Sequence, residues 1–194
     1  STYIEQLEGA GTQQQLGDAL TTVASSFDLP RVAYIVLSRG KRLPPWLITN
    51  YPPTWTAHYV ANGYQNADPV LSRSRIVIDA FDWDPGFVND NDFTRRFFCE
   101  AAEHGIRFGR TIPIHNRRGP VAAVTFATDR CCPTFCSSIR RNADTLELIA
   151  LYFHAHVSRK LGVVQNVYLT DRERQCLYWA SLGKSARDIG EILN

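Results

Sequence analysis

The chain has 194 residues, 44% of them apolar and 21% charged, and it holds no apolar run near the roughly 18 residues that a membrane span needs. This excludes disordered, collagen-like, coiled-coil and helical membrane classes, and it leaves one well-buried domain, or one plus a fragment of a second. With 21 Lys and Arg against 19 Asp and Glu the formal charge is only +2, too small to imply nucleic acid or an acidic membrane by itself.

Five Cys form an odd set without paired spacing, and no signal peptide precedes the first helix-like segment. Reduced thiols in a cytoplasmic protein are the expectation. From Thr12 to Phe27 the apolar residues Leu16, Leu20, Val23, Ala24 and Phe27 recur at three and four, the period of a helix with one buried face. Arg31 to Leu37 is β-branched and aromatic and ends at Arg39-Gly40, which predicts a buried strand closed by a turn, with Trp46 to Thr49 as its partner.

Pro52-Pro53 opens a short helix through Trp55 and Tyr59, because Pro is tolerated in a first turn where its missing N–H costs nothing, and Asp68-Pro69 repeats the signal. Asp92 to His104 carries Phe93, Phe97, Ala101 and His104 on one stripe, with Gly105 placed to cap it. Arg110 to His115 and Val121 to Thr128 predict a β-hairpin over the turn Asn116-Arg117-Arg118-Gly119, so the sheet has at least four strands.

Ser137 to Leu161 reads as one long helix. Ile139, Ala143, Leu146, Ala150, Phe153 and Val157 form its seam, and Leu148, Ile149, Leu151 and Tyr152 add more apolar surface than one face needs. One side can meet the sheet and another a second chain. After a linker around Gly162 to Asn166, Thr170 and Glu173 fit a capping box, and Gly183 and Ser185 separate two helices of helix-turn-helix size.

The densest chemistry lies between Asn50 and Pro69. Trp55 and Tyr59 share a helical face and present an indole N–H and a phenol O–H on an otherwise apolar wall, which suits an amphipathic ligand. An Asp68 facing that wall wants donors, and a ligand amide would serve. A plainer reading stands beside it: Asp before Pro at a helix start is commonly an N-cap, and Trp and Tyr at helical spacing are commonly core.

Tyr51, Trp55, Tyr59, Asp68-Pro69, Trp83 and the stretch Gly105 to His115 together resemble the autoinducer-binding domain of LuxR-type quorum-sensing regulators. Leu169-Thr170, Arg172-Glu173-Arg174, Leu177, Trp179, Gly183-Lys184-Ser185, Ile189 and Leu193 resemble the start of the same family's DNA-binding domain. The resemblance implies an α+β protein: an α/β/α sandwich with a central antiparallel sheet, followed by the start of an all-α helix-turn-helix domain. The autoinducer-binding and dimerisation domain would occupy residues 1–162, a linker 163–168, and the N-terminal part of the DNA-binding domain 169–194.

It further implies a pocket for an N-acyl-homoserine lactone and no other cofactor. Trp55 would donate to the lactone carbonyl, Asp68 would accept from the amide N–H, Tyr51 would reach the acyl carbonyl, and Thr125 would add a hydroxyl. Tyr59 and Trp83 would supply apolar wall. For the acyl tail, Val32, Tyr34, Val36 and Leu47 are the candidates. If Tyr34 or Trp46 points inward, the tail is short, branched or aryl. The partners implied are the autoinducer, a second copy of the chain through the Ile139 to Leu161 helix, and promoter DNA for the intact chain only. No membrane partner is implied.

Two rivals belong beside this reading: a regulator of the same fold that acts without ligand or blocks other receptors, and an acyl-homoserine lactone hydrolase. The enzyme reading lacks a nucleophile elbow or a cysteine-hydrolase signature near His58, His104, His115, His154 or His156. Cys131-Cys132-Pro133-Thr134-Phe135-Cys136 departs from the family pattern. It reads as thiols in a strand-to-helix loop, because no fourth ligand at metal spacing accompanies it. In the tail, Arg172, Arg174, Lys184 and Arg187 balance Asp171, Glu173, Asp188 and Glu191, which leaves no phosphate-binding footprint.

Overall fold

A computed structural model describes residues 3–37, 46–86, 91–115, 121–130, 132–161 and 171–193. Helices α1 (Tyr3–Gly9) and α2 (Gln13–Ser25) lead into strand β1 (Arg31–Val36). Thr12 starts α2 through a reciprocal capping box with Gln15. Strand β2 (Trp46–Thr49), helix α3 (Pro53–Ala61), a 3₁₀ turn (Tyr64–Asn66), helix α4 (Pro69–Ser74) and strand β3 (Phe81–Trp83) follow. Helix α5 (Asp92–Glu103) ends at Gly105, whose φ of +75° is open to a residue without a Cβ. Then come β4 (Phe108–Ile114), β5 (Ala122–Thr128), α6 (Pro133–Arg141) and α7 (Ala143–Leu161).

The strands form one antiparallel sheet in the order β2-β1-β5-β4-β3. Its register places Ala33 of β1, Thr125 of β5 and Thr111 of β4 in one row across the sheet. Residues alternate between two cores. Val32, Tyr34, Val36, Val124 and Phe126 pack with α2, α6 and α7, while Ile35, Ala123 and Ala127 pack with α3, α4 and α5. Helices therefore cover both faces, and every residue of β5 is buried. The α/β/α sandwich is the one the family resemblance implies. Helix α1 and the three-residue β3 were not foreseen.

One predicted helix is two. Asn142 stands at the end of α6, where its side-chain amide donates to the Ser138 carbonyl at 2.9 Å, and its own carbonyl accepts from Leu146 N–H at 2.8 Å to begin α7. An Asn that bonds locally to backbone competes with helix continuation, so the chain turns there. The predicted seam survives the break: Ile139 of α6 and Leu146, Ala150, Phe153 and Val157 of α7 are all buried in the sheet-facing core. The single helix expected from Ile139 to Leu161 is thus corrected to the end of α6 followed by α7, on which Leu148 and Leu151 are 67% and 50% exposed.

Helices α8 (Asp171–Ser181) and α9 (Ala186–Ile192) follow, compatible with the start of a helix-turn-helix. Gly183 has φ of +79°, and Ser185 caps α9 in a capping box with Asp188. The Arg39-Gly40 turn, the 116–119 turn, Cys131, the linker and the Thr170 half of the predicted capping box lie outside the described residues.

Candidate ligand cavity

Between the sheet and the α3, α4 and α5 layer lies a cavity with a mostly apolar lining. Its volume is about 80 Å³, room for several waters or a small organic group. Ala33, Ile35 and Thr125 form its floor on the sheet, Leu47 and Tyr51 one side, and Trp55 and Tyr59 its roof. Asp68, Val70 and Leu71 enter from the start of α4; Trp83, Phe97, Phe98 and Ile106 close the far side.

The roof follows from local sequence. Pro52 and Pro53 start α3, and the four-residue spacing puts Trp55 and Tyr59 on its buried face with ring centroids 5.8 Å apart. Trp55 also packs against Tyr64, Phe97, His58 and His104. Behind it, the Glu100 carboxylate accepts from the Tyr64 hydroxyl and bonds His58 Nε2 at 2.7 Å. The Tyr64 and His58 hydrogen bonds hold Glu100 below the ordinary carboxylate range.

Asp68 is an N-cap and also faces the aromatic wall. Its Oδ1 caps α4, accepting from Val70 N–H at 2.7 Å and Leu71 N–H at 3.2 Å, while Oδ2 accepts from the Tyr59 hydroxyl at 2.8 Å. The carboxylate is 7% exposed and lines the cavity. Burial raises its pKa to about 6, against the pull of the Tyr59 and α4 hydrogen bonds, which favour the ion. Burial also pushes the Tyr51 and Tyr59 phenols well up, so both stay protonated donors.

Among the described residues nothing accepts from the Trp55 indole N–H, and the Tyr51 hydroxyl has no hydrogen-bond partner. The residues that carry them, Trp55 and Tyr51, line one small space together with Asp68, whose carboxylate keeps spare lone pairs. Such groups impose a pattern on whatever enters: two acceptors and one donor.

Of the residues singled out from sequence, Tyr51, Trp55, Tyr59, Asp68, Trp83, Thr125 and Leu47 line the cavity. Tyr34 and Val36 do not, nor does Val32. They occupy the opposite sheet face, where Tyr34 packs on Phe153 with centroids 5.0 Å apart and its hydroxyl bonds His154 Nδ1 at 2.8 Å. Trp46 packs against that same core. The reason is the strand's period of two: Ala33 and Ile35 face the cavity, and their neighbours cannot. The far side of the cavity is closed instead by Trp83, Phe97 and Phe98, of which Phe97 carried only a helical-stripe signal in the sequence.

Gly109 gives Trp83 its place. A Cβ on Gly109 would stand 2.6 Å from the Trp83 ring atom Cε2 and 2.7 Å from the Phe126 carbonyl oxygen, which is fixed in the sheet. Gly109→Ala is expected to cost about 1–3 kcal/mol of stability in chemical denaturation and to change Trp83 fluorescence, as overpacking does. An unchanged denaturation midpoint would contradict this packing.

Among the described residues no group of three His, Cys, Asp or Glu is placed to hold a metal. Cys132 caps α6, its sulfur accepting from Phe135 N–H at 3.5 Å, and with Cys136 it packs against the core. His154 and His156 are both buried on α7, but only His154 meets Tyr34.

A sheet with an aromatic roof over a small, sparsely polar cavity is an architecture suited to a small-molecule-binding domain. The sequence model of the autoinducer binding domain matches residues 12–157, and the chain belongs to that family, found in LuxR-type regulators. It is 31% identical over 197 residues to y4qH of Sinorhizobium fredii, which carries the name of an HTH-type transcriptional regulator, covering 96% of this chain and 59% of that protein. It is 33% identical over 147 residues to the transcriptional activator VanR of Vibrio anguillarum, covering 75% of this chain and 61% of VanR. The chain thus spans about three fifths of these relatives.

Two solved structures share the fold. CepR2 of Burkholderia cenocepacia, described as an N-acylhomoserine lactone dependent LuxR family transcription factor, gives a TM-score of 0.68 at 22% identity, over 82% of this chain and 94% of that one. SdiA of Escherichia coli, solved with octanoyl-rac-glycerol, gives 0.65 at 19% identity, over 98% and 78%.

Proposed function

We propose that the chain is the sensor part of a quorum-sensing transcriptional regulator and binds an N-acyl-homoserine lactone in this cavity, without chemistry on it. The observation that carries the reading is that Trp55 and Tyr51, each with a donor no described group uses, and the buried Asp68 all line one apolar space. A lactone carbonyl, an acyl carbonyl and an amide N–H answer them in number and polarity, and each left unmet would cost about 1–3 kcal/mol. The family and its transcription-regulator relatives support the reading.

Ligand would act by linkage: bound only to the folded state, at a hundredfold over its dissociation constant, it adds about 2.7 kcal/mol of stability. In the intact regulator, folding of a cytoplasmic homodimer would set two DNA-binding units at fixed spacing. The exposed Leu148 and Leu151 lie three apart, on one side of α7, and suit the dimer contact. Leu148→Glu with Leu151→Glu is expected to shift the ligand-bound protein from dimer to monomer in sedimentation velocity. A dimer surviving both changes would remove α7 from the contact.

The deciding experiment is mass spectrometry of what co-purifies from cells fed mixed acyl-homoserine lactones. Recovery of one intact lactone is expected. A ring-opened or deacylated product would favour the hydrolase, and soluble, folded protein with no lactone would favour ligand-independent action.

A further inference from the structure

The Trp55 indole is enclosed by rings. Among the described residues His58, Tyr59, Tyr64, Phe97 and His104 pack on it, with ring centroids between 5.5 Å and 6.2 Å away. No described residue accepts from its N–H, and the outer torsion of a tryptophan side chain is soft, so packing alone sets where that N–H points. Phe97 belongs to α5 and His104 stands at its end, so α5 supplies two of these rings directly.

Glu100, three residues after Phe97 and on the same side of α5, fixes two more. Held below the ordinary carboxylate range, it is ionised at neutral pH and can only accept. Its Oε2 takes both the Tyr64 hydroxyl and, at 2.7 Å, His58 Nε2. His58 therefore carries its proton on Nε2, which leaves Nδ1 to accept from the Asn62 amide at 3.2 Å. The His58 side chain is 42% exposed, and the Glu100 bond keeps its ring on the indole rather than in water. The two tied rings also meet edge to face, with centroids 5.7 Å apart. Glu100 itself is not among the residues that line the cavity.

We propose that Glu100 is a positioning residue of the sensor site: through Tyr64 and His58 it aims the Trp55 N–H at the ligand, so that its loss weakens recognition of the lactone carbonyl alone. This rests on the lactone reading above and adds to it a residue that never meets the ligand.

The test is calorimetric titration of the full chain with two probes. One is N-hexanoyl-homoserine lactone; the other is N-cyclopentylhexanamide, which keeps the amide and the tail but has no lactone carbonyl. Glu100→Ala should lower affinity for the lactone about tenfold, the worth of one hydrogen bond, and leave affinity for the cyclopentyl amide unchanged. Glu100→Gln should restore lactone binding, because its amide oxygen can accept from both rings. In a Trp55→Phe background Glu100→Ala should cost no further affinity, since the N–H to be aimed is gone. Equal losses for the two probes would mean that Glu100 acts only on the packing of the roof, which overturns the inference and leaves the lactone reading intact. No binding of either probe by the unsubstituted chain would overturn both. Should Glu100→Ala fail to fold, Tyr64→Phe, which keeps the ring and removes its bond to Glu100, takes its place with the same expected split between the probes.

Discussion

Trp55→Phe is expected to lower affinity for an acyl-homoserine lactone by roughly tenfold to a hundredfold while leaving the fold in place. The substitution keeps most of the ring that packs between Tyr59, Tyr64 and Phe97, so most of the roof's apolar contact persists. What disappears is an N–H that no group among the described residues uses, and a carbonyl entering the cavity would then be desolvated without a donor. Two measurements separate the roles. Calorimetric titration should show the affinity loss, and thermal unfolding of unliganded protein should move by only a few degrees. A large fall in unliganded stability with unchanged affinity would make Trp55 core and nothing more.

The polar end of the cavity was legible because its signals are local. Pro at a first turn and a four-residue aromatic spacing place Trp55 and Tyr59 on one helical face, and Asp before Pro places Asp68 at a cap. None of these needs a distant partner. The tail end was not legible, because β1 is apolar on both faces and a period of two carries no phase when both faces are covered. Tyr34 and Val36 were therefore misassigned. Asn142 hid the break between α6 and α7, since the apolar seam runs through it unchanged in period.

Asp68 should make ligand binding depend on pH in a calculable direction. Its folded pKa of about 6 lies above its ordinary 3.8, so between those values the unliganded folded state holds more protons than the unfolded one. Stability then falls as pH rises through that window, by about 3 kcal/mol in all from this group. The residue thus opposes folding at neutral pH until a donor arrives. A ligand N–H bonded to the carboxylate favours the ion, so affinity should rise as pH climbs from 5 to 7 and level off above. Asp68→Asn removes the titration but keeps an oxygen able to cap α4, and Asn is as good an N-cap as Asp. It sets an NH₂ toward the ligand's own N–H, so affinity should drop about a hundredfold or more, since the bond lost is to a charged group and two donors now face each other. Titrations at several pH values on both proteins would show a rising profile for the unsubstituted chain and a flat, weak one for the variant. A flat profile for both, at equal affinity, would mean that the carboxylate serves α4 and Tyr59 alone.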